Sequence, residues 1–459
     1  MKKLFITLAI IVAVIVAVPF LGNKVVESSI EDRVEVLNSY GLKVKKVTTD
    51  FSYLSTKKHL IFAVEDTQKF VAYLNQFSDA QLPAYIDALV DGAEVGLDIK
   101  YSNIAFSDAL SIDIYPNTLP SKIAADIKKE DADLFTYIDT LLKDKAILYH
   151  INYDIINDAF DGYIKDLDKS YSLKNKTKIS LLLKGTSFYG EGLVIAPDTL
   201  SSKIDTLKLS LEDIDESILI DLSGFTSSSV FESKTTYATT VKFDKVSWSA
   251  KSIDVPNVSL DMTNLSFDFS SNAQDIKADF YTKTSFDTLS LNTAQVTINT
   301  QKFNYDLALR GVDKEEYIKL LTLISKAKAS PSQSLEKEIN ITMLDLVAKG
   351  FVVDVADFSI KELSTLKTTN LGGLSIKAKL IVKEDKNLAN KMKTNQMSII
   401  QNMDLDLNFI ISELMYTKLA MLSPALSMAQ GFAQRVKENF VFDIKLKDSK
   451  LSVNGKTVN

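Results

Sequence analysis

The spacing of apolar residues changes character along the chain. From residue 23 to 40, Val25, Val26, Ile30, Val34 and Leu37 recur at three- and four-residue intervals, which predicts a helix stopped by Gly41. Strands are expected over 42–47 and 59–64. Asp66 is placed to cap a helix carrying Phe70, Val71, Leu74 and Phe77 on one face, and residues 82–90 repeat that style. Residues 95–101 and 110–115 alternate with a period of two, the mark of half-buried strands, and Pro116 and Pro120 are expected to end the second. Residues 121–143 read as one charged amphipathic helix.

From about Lys176 short alternating runs follow one another, among them 178–184, 204–211, 218–222, 241–248, 276–280 and 303–309. Within 253–269 the apolar parity slips at Pro256-Asn257 and again at Thr263-Asn264, so each slip is either a tight hairpin or a bulge that keeps one apolar face inward. Many short strands with regular turns predict an antiparallel meander. Asp313 then caps a helix with Tyr317, Leu320, Leu321 and Ile324 on its face, and Ser334 opens a second that Gly350 ends. Strands at 351–360, 374–382, 405–411, 440–446 and 451–453 alternate with helices at 384–401 and 413–433, the latter interrupted near Pro424. The fold class is therefore α+β: a long antiparallel β-meander flanked by mixed α/β regions. The expected divisions are 1–22, 23–175, 176–310 and 311–459.

The first of these divisions is a membrane signal. Lys2 and Lys3 precede an uncharged run from Leu4 to Leu21, eighteen residues that span about 27 Å as a helix, close to a bilayer's hydrocarbon core. The run is longer than a secretory signal's apolar core and lacks a small-x-small ending, which favours a retained transmembrane anchor over a cleaved peptide. The two lysines favour a cytoplasmic N-terminus, with the remainder sent across the membrane.

Composition mostly excludes. A net charge of −6 without a basic stripe argues against nucleic acid. Only Arg33, Arg310 and Arg435 are arginines, and cysteine is absent, so there is no thiolate nucleophile or Cys-ligated metal. The two histidines, His59 and His150, stand 91 residues apart (150 − 59), so any pairing would be decided by tertiary structure. No phosphate-loop, dinucleotide or nucleophile-elbow motif is present. The acidic runs 130–133 and 212–216 lack the central glycine of a calcium loop and read as a helix face and a turn. Asn340 lies in an acidic-x-Asn-x-Thr glycosylation pattern, but inside an expected helix. No catalytic residue, cofactor or metal is expected.

The segment Phe303-Asn304-Tyr305-Asp306-Leu307-Ala308-Leu309-Arg310-Gly311-Val312-Asp313, running into Tyr317 and Leu321, resembles the YdgA-like family of bacterial proteins of unknown function. So do the ending Leu451-Ser452-Val453-Asn454-Gly455-Lys456 and the N-terminal anchor. The resemblance covers the first 22 residues and most of the chain after Lys176, while residues 60–170 match less clearly. It implies an inner-membrane-anchored periplasmic protein without catalytic residues to carry over.

The expectation is thus a non-enzymatic envelope scaffold or binding module. The helices at 314–326 and 335–347 are expected to cover the apolar face of the meander as core. If part of that face is left as a groove, it would take a lipid or other hydrophobic ligand, lined by residues such as Leu289, Leu291, Val296 and Ile298. A partner-binding surface at 60–170 would use Tyr73, Phe77, Tyr85, Tyr101 and Tyr115 as anchors. The alternative from another class is a periplasmic hydrolase with a carboxylate pair acting on cell-wall or polysaccharide material.

Overall fold

The computed structural model describes residues 37–52, 55–75, 90–102, 109–173, 176–194, 196–233, 235–253, 257–273, 276–329, 332–365, 370–421 and 423–458. The expected anchor, most of the helix over 23–40 and nearly all of the one over 82–90 lie outside these residues. Among the described residues no helix is long and apolar enough to cross a membrane. The chain divides into two compact units, Met1–Glu216 with Gly224–Ser228, and Ser217–Ser223 with Ser229–Asn459.

The N-terminal unit contains β1 (Leu42–Phe51), β2 (Ser55–Val64), α1 (Thr67–Asn75), β3 (Glu94–Ser102), β4 (Ala109–Thr118), α2 (Ser121–Glu130), α3 (Ala132–Lys143), β5 (Tyr149–Asp154), β6 (Ala159–Ile164), β7 (Leu167–Ser172), β8 (Lys178–Lys184), β9 (Thr186–Leu193) and β10 (Ala196–Glu212). Antiparallel pairing runs β1-β2-β3-β4-β5-β6-β9 and on to the first half of β10, whose second half pairs with β8, and β8 with β7. Period-two alternation puts Leu60, Leu97 and Ile114 in one cross-strand row and Ile99, Ile112 and Ile151 in the next. Leu37, Phe70 and Tyr73 close over these rows to make the largest buried core. Each such side chain contributes about 1.5–3 kcal/mol when fully buried.

Two expectations change here. The single helix over 121–143 is two, because Asp131 leaves helical geometry (φ −151°) and its carboxylate accepts the backbone N–H of Asp133 and Leu134. Pro116 does not end β4: it pairs with Val95 at a bulge and the strand continues to Thr118. A proline is tolerated at such an irregularity because no ladder donor is needed there.

The C-terminal unit takes part of β11 (Glu216–Ser233), then β12 (Thr236–Ser252), β13 (Val258–Asn272), β14 (Lys277–Asn292), β15 (Thr297–Asp313), α4 (Lys314–Ala329), α5 (Gln333–Ala348), β16 (Phe351–Thr365), β17 (Leu374–Val382), α6 (Leu388–Thr394), β18 (Met403–Ser412), α7 (Glu413–Ala420), α8 (Pro424–Ala429), β19 (Gln434–Val436), β20 (Asn439–Lys447), β21 (Lys450–Val453) and β22 (Lys456–Thr457). β12 to β18 pair antiparallel in chain order, and β20 follows β18. The antiparallel meander is therefore present, but its strands are far longer than the runs expected from the sequence. Serine, threonine and aspartate between the apolar runs keep the ladder going instead of turning the chain.

Continuity across the parity slips has a local cause. Pairing skips Asp244 against Asn264, Asp287 against Lys302, and Lys302 against Lys361, so successive strands are interrupted at one level. Asn264 (φ 52°) and Lys302 (φ 53°) are left-handed there, which lets the alternation miss a step. The slip at Thr263-Asn264 is thus an irregularity inside β13, whereas the one at Pro256-Asn257 involves Pro256, which lies outside the described residues. Asn264 Nδ2 donates to Asp287 Oδ2 at 2.6 Å and Lys302 Nζ to Asp287 Oδ1 at 2.7 Å, tying the interrupted strands together. Those bonds, Lys302's first, hold the Asp287 carboxyl below the usual carboxylate range.

Smaller boundaries also move. Asp313 caps α4 through the Glu316 N–H, as expected, but α5 is capped by Ser332 rather than opened at Ser334. The helix over 384–401 is the short α6 followed by a 3₁₀ turn at Gln396–Asn402. The break near Pro424 separates α7 from α8.

Replacing Asn264 by valine, which resists the left-handed region, is expected to destabilise the protein by about 1–2 kcal/mol in urea unfolding. Asn264→Gly keeps the left-handed conformation and loses only the hydrogen bond to Asp287, so it should cost clearly less than the valine variant; equal losses for both would show that the backbone conformation is not what Asn264 supplies.

Candidate functional site

The C-terminal sheet has one apolar face. Reading across β15, β16, β17, β18 and β20, the register aligns Leu309, Val353, Leu380, Leu405 and Leu446, then Leu307, Val355, Ala378, Leu407 and Ile444. The next two rows are Tyr305, Phe358, Ile376, Phe409 and Phe442, and Phe303, Ile360, Leu374, Ile411 and Phe440. No charged side chain interrupts these rows. Toward β14 and β13 the rows continue with more threonine, as in Leu307, Thr282 and Phe269. Most residues of the intervening parity are polar, for example Asp306, Ser359, Lys377, Asn408 and Asp443, with Val352, Ile381, Ile410 and Val441 as apolar exceptions toward the ends.

This face is closed at its ends and half-buried between them. At one end Ala348, Val382, Leu388 and Ala389 form a core with Leu344, Phe351 and Met403. At the other, Ile411, Met415, Tyr416, Phe440 and Phe442 form a second, with the Tyr416 hydroxyl held by the Leu426 carbonyl. Leu307, Val355, Ile376, Ala378 and Leu407 lie between and are half-buried. The helices expected to cover the whole face do not: α4 meets the sheet mainly at β15, with Tyr317 packed on Phe280 at 4.6 Å. Ile318 and Leu321 of α4, and Ile341 and Met343 of α5, remain exposed.

Of the expected lining, Leu289 faces Met262 and Thr300, while Leu291 faces Leu260 and Ile298, all half-buried except the buried Thr300. Val296 is not on the sheet: it sits in the turn before β15, 44% exposed, its carbonyl accepting the Thr293 N–H. Of the five aromatic anchors expected at 60–170, Tyr73 and Tyr115 are buried. Tyr101 is half-buried; Phe77 and Tyr85 fall outside the described residues.

A second constellation, in the N-terminal unit, was not foreseen. The register brings His59, Asp98, Asp113, His150 and Tyr163 into one cross-strand row from β2 to β6. Two carboxylates directly opposite each other would repel, yet each is taken up. His59 Nδ1 lies 2.6 Å from Asp98 Oδ1, Lys145 Nζ donates to Asp98 Oδ2 at 2.5 Å, and His150 Nδ1 lies 2.6 Å from Asp113 Oδ1. The Tyr115 hydroxyl donates to Asp98 at 3.1 Å while Lys145 sits 3.9 Å from the Tyr115 ring centre. Gly96, opposite Tyr115, gives the ring its place: a Cβ there would come within 2.2 Å of it. Burial pushes the Asp98 carboxyl up, but hydrogen bonds from Lys145 and His59 and the lysine charge outweigh it, so it titrates below the usual range. Burial lowers Lys145, but its hydrogen bonds to Asp98 and Tyr115 and their charge outweigh it and hold the ammonium above its usual value. The strand alternation marks Asp98 and Asp113 as polar-face residues; their alignment with two distant histidines is a matter of register alone.

The acidic runs have structural duties. Asp131 caps α3, and Asp213 accepts Thr177 Oγ1 at 2.9 Å in the turn between β10 and β11. Among the described residues no three His, Cys, Asp or Glu side chains are arranged to hold a metal. Asn340 lies within α5, with Thr342 fully buried.

Because the Asp98 carboxyl is lowered by folding, its contribution to stability is present above the unfolded carboxylate value near 4 and fades as pH falls through the folded one. Asp98→Asn should therefore cost about 1–3 kcal/mol at neutral pH, with parent and variant converging below about pH 4. A difference that stays constant into acid, in urea unfolding at each pH, would contradict this account of the network.

No family model, curated protein or solved structure matches the chain.

Proposed function

We propose that the protein is a non-enzymatic envelope component, anchored in a bacterial inner membrane by residues 4–21, whose C-terminal unit binds lipid hydrocarbon on its apolar sheet face in the periplasm. The observation that carries this reading is the set of unbroken apolar rows, uncharged and only half-buried between the two end cores. Ordinary surface does not present so long an apolar stretch. Each square ångström taken from water there contributes about 25 cal/mol.

Dimensions support acyl chains as the ligand. The five strands that carry the unbroken rows, β15 to β18 and β20, at about 4.8 Å spacing make a face about 19 Å across, enough for the chains of one leaflet, half of a bilayer core of about 30 Å. The absence of charged residues on the rows suits hydrocarbon and leaves a head group toward solvent. The lysines at the N-terminus and the resemblance to the YdgA-like family support the periplasmic address.

Mass spectrometry of an organic extract from residues 23–459, purified without detergent from a periplasmic expression host, tests the reading. A stoichiometric phospholipid or isoprenoid is expected, and an empty protein overturns it. Ala378→Glu, which places a carboxylate in the middle of the face, should retain the fold by circular dichroism and lose most of the bound lipid. Retention of the parent's full lipid load would move the site elsewhere.

A further inference from the structure

The N-terminal unit carries a cavity of about 720 Å³ where β5, β6, β9 and β10 run side by side. That is within the ordinary size of a small-ligand site. Asn152, Asp161, Tyr189, Glu191 and Thr199 supply much of its polar and aromatic wall, and Asp154 adds a third carboxylate. We propose that this cavity binds a neutral oligosaccharide, with one sugar ring stacked on Tyr189 and its hydroxyls held by Asp161, Asn152, Glu191 and Thr199.

The wall is built on strands, not on loops. Tyr189 lies in β9 between Asp161 of β6 and Ser201 of β10, and is 65% exposed. A large aromatic ring left open on a paired strand offers a flat apolar platform with a polar tip, at small cost in lost rotamer freedom. A pyranose presents a matching flat face of C–H groups with hydroxyls around its rim.

The polar partners beside that ring are oriented in advance. Asn152 Nδ2 donates to Asp161 Oδ2 at 3.2 Å, and Asn152 Oδ1 lies 3.1 Å from His150 Nε2. His150 is anchored to Asp113 and stacked on Tyr163 at 4.8 Å between ring centres. This chain fixes the amide and the carboxylate without filling the cavity, the kind of support that keeps a binding group in one geometry. Thr199 Oγ1 accepts the Glu191 backbone N–H at 3.2 Å, which holds the hydroxyl in place. The Glu191 side chain is exposed and has no ion pair among the described residues. Carboxylates accept from neighbouring hydroxyls, and an amide can both donate and accept, as a sugar rim requires.

Other ligand classes fit the wall less well. Among the described residues no lysine, arginine or histidine lines the cavity, so phosphates, nucleotides and acidic sugars would meet only negative charge there. β5, β6 and β9 each have a pairing strand on both sides, which leaves no open edge for an extended peptide to join.

The test is titration of the full chain, held in a detergent that contains no sugar, with chitotriose, cellotriose and maltotriose, followed by calorimetry and saturation-transfer NMR. At least one trisaccharide should bind at millimolar concentration or below. Tyr189→Phe should keep that affinity, and Tyr189→Ala should weaken it about tenfold or more. Because Tyr189 is exposed, the alanine variant is expected to keep the parent's thermal midpoint, so a loss of binding reads on the site. Binding of none of the three sugars overturns the proposal, as does binding that survives Tyr189→Ala. A preference for spermine or an oligolysine peptide over every sugar also overturns it, by showing a site that selects cations.

Discussion

Strands of fifteen to seventeen residues, as β12 to β16 are, must satisfy two demands at once: a partner for nearly every backbone group, and one face free of charge. A strict period of two cannot carry the second demand here, because the apolar positions change parity partway along. The interrupted level through Asp244, Asn264, Asp287, Lys302 and Lys361 reconciles them. Each ladder loses one paired step at that height, or two between β13 and β14, and the register on either side is preserved. Everything about the apolar face depends on that alignment, since a slip of one residue in a single strand would turn its leucines and phenylalanines to the polar side.

The ends of the face are closed by different means. On the side of α5 and α6, small and aliphatic residues pack around Leu388; on the side of α7, aromatic residues do, with Tyr416 against Phe440 and Phe442 at 5.0 and 5.7 Å. Both ends are ordinary core. The middle is not, and the difference marks where a ligand would gain most from burial. Exposed apolar residues on α4 and α5 extend the same economy of coverage beyond the sheet.

In the N-terminal unit the division of labour is reversed. There the apolar face is the covered one, closed by Leu37, Phe70 and Tyr73, and chemistry is displayed on the other. Asp98 and Asp113 stand opposite each other only because His59, Lys145 and His150 surround them. The network runs on through Asn152 to Asp161, so a feature that stabilises the sheet also orients groups at its rim.

The sequence by itself determined the periods and many of the caps and stops. Asp66, Asp313, Gly350 and the break near Pro424 could be read directly, because each acts through backbone geometry within a few residues. The α+β class and the antiparallel meander followed from local alternation in the same way. Tertiary structure decided the lengths of the strands, since serine and threonine pair or turn according to what lies beside them. It decided that Asp131 breaks one helix into two, because a lone aspartate in a charged run is also a good surface residue. It placed Leu289, Leu291 and Ile298 on the sheet but left Val296 in a turn. And it brought His59 and His150 into one row, which no spacing of 91 residues can announce: cross-strand neighbours are set by register, and register is a property of the folded sheet.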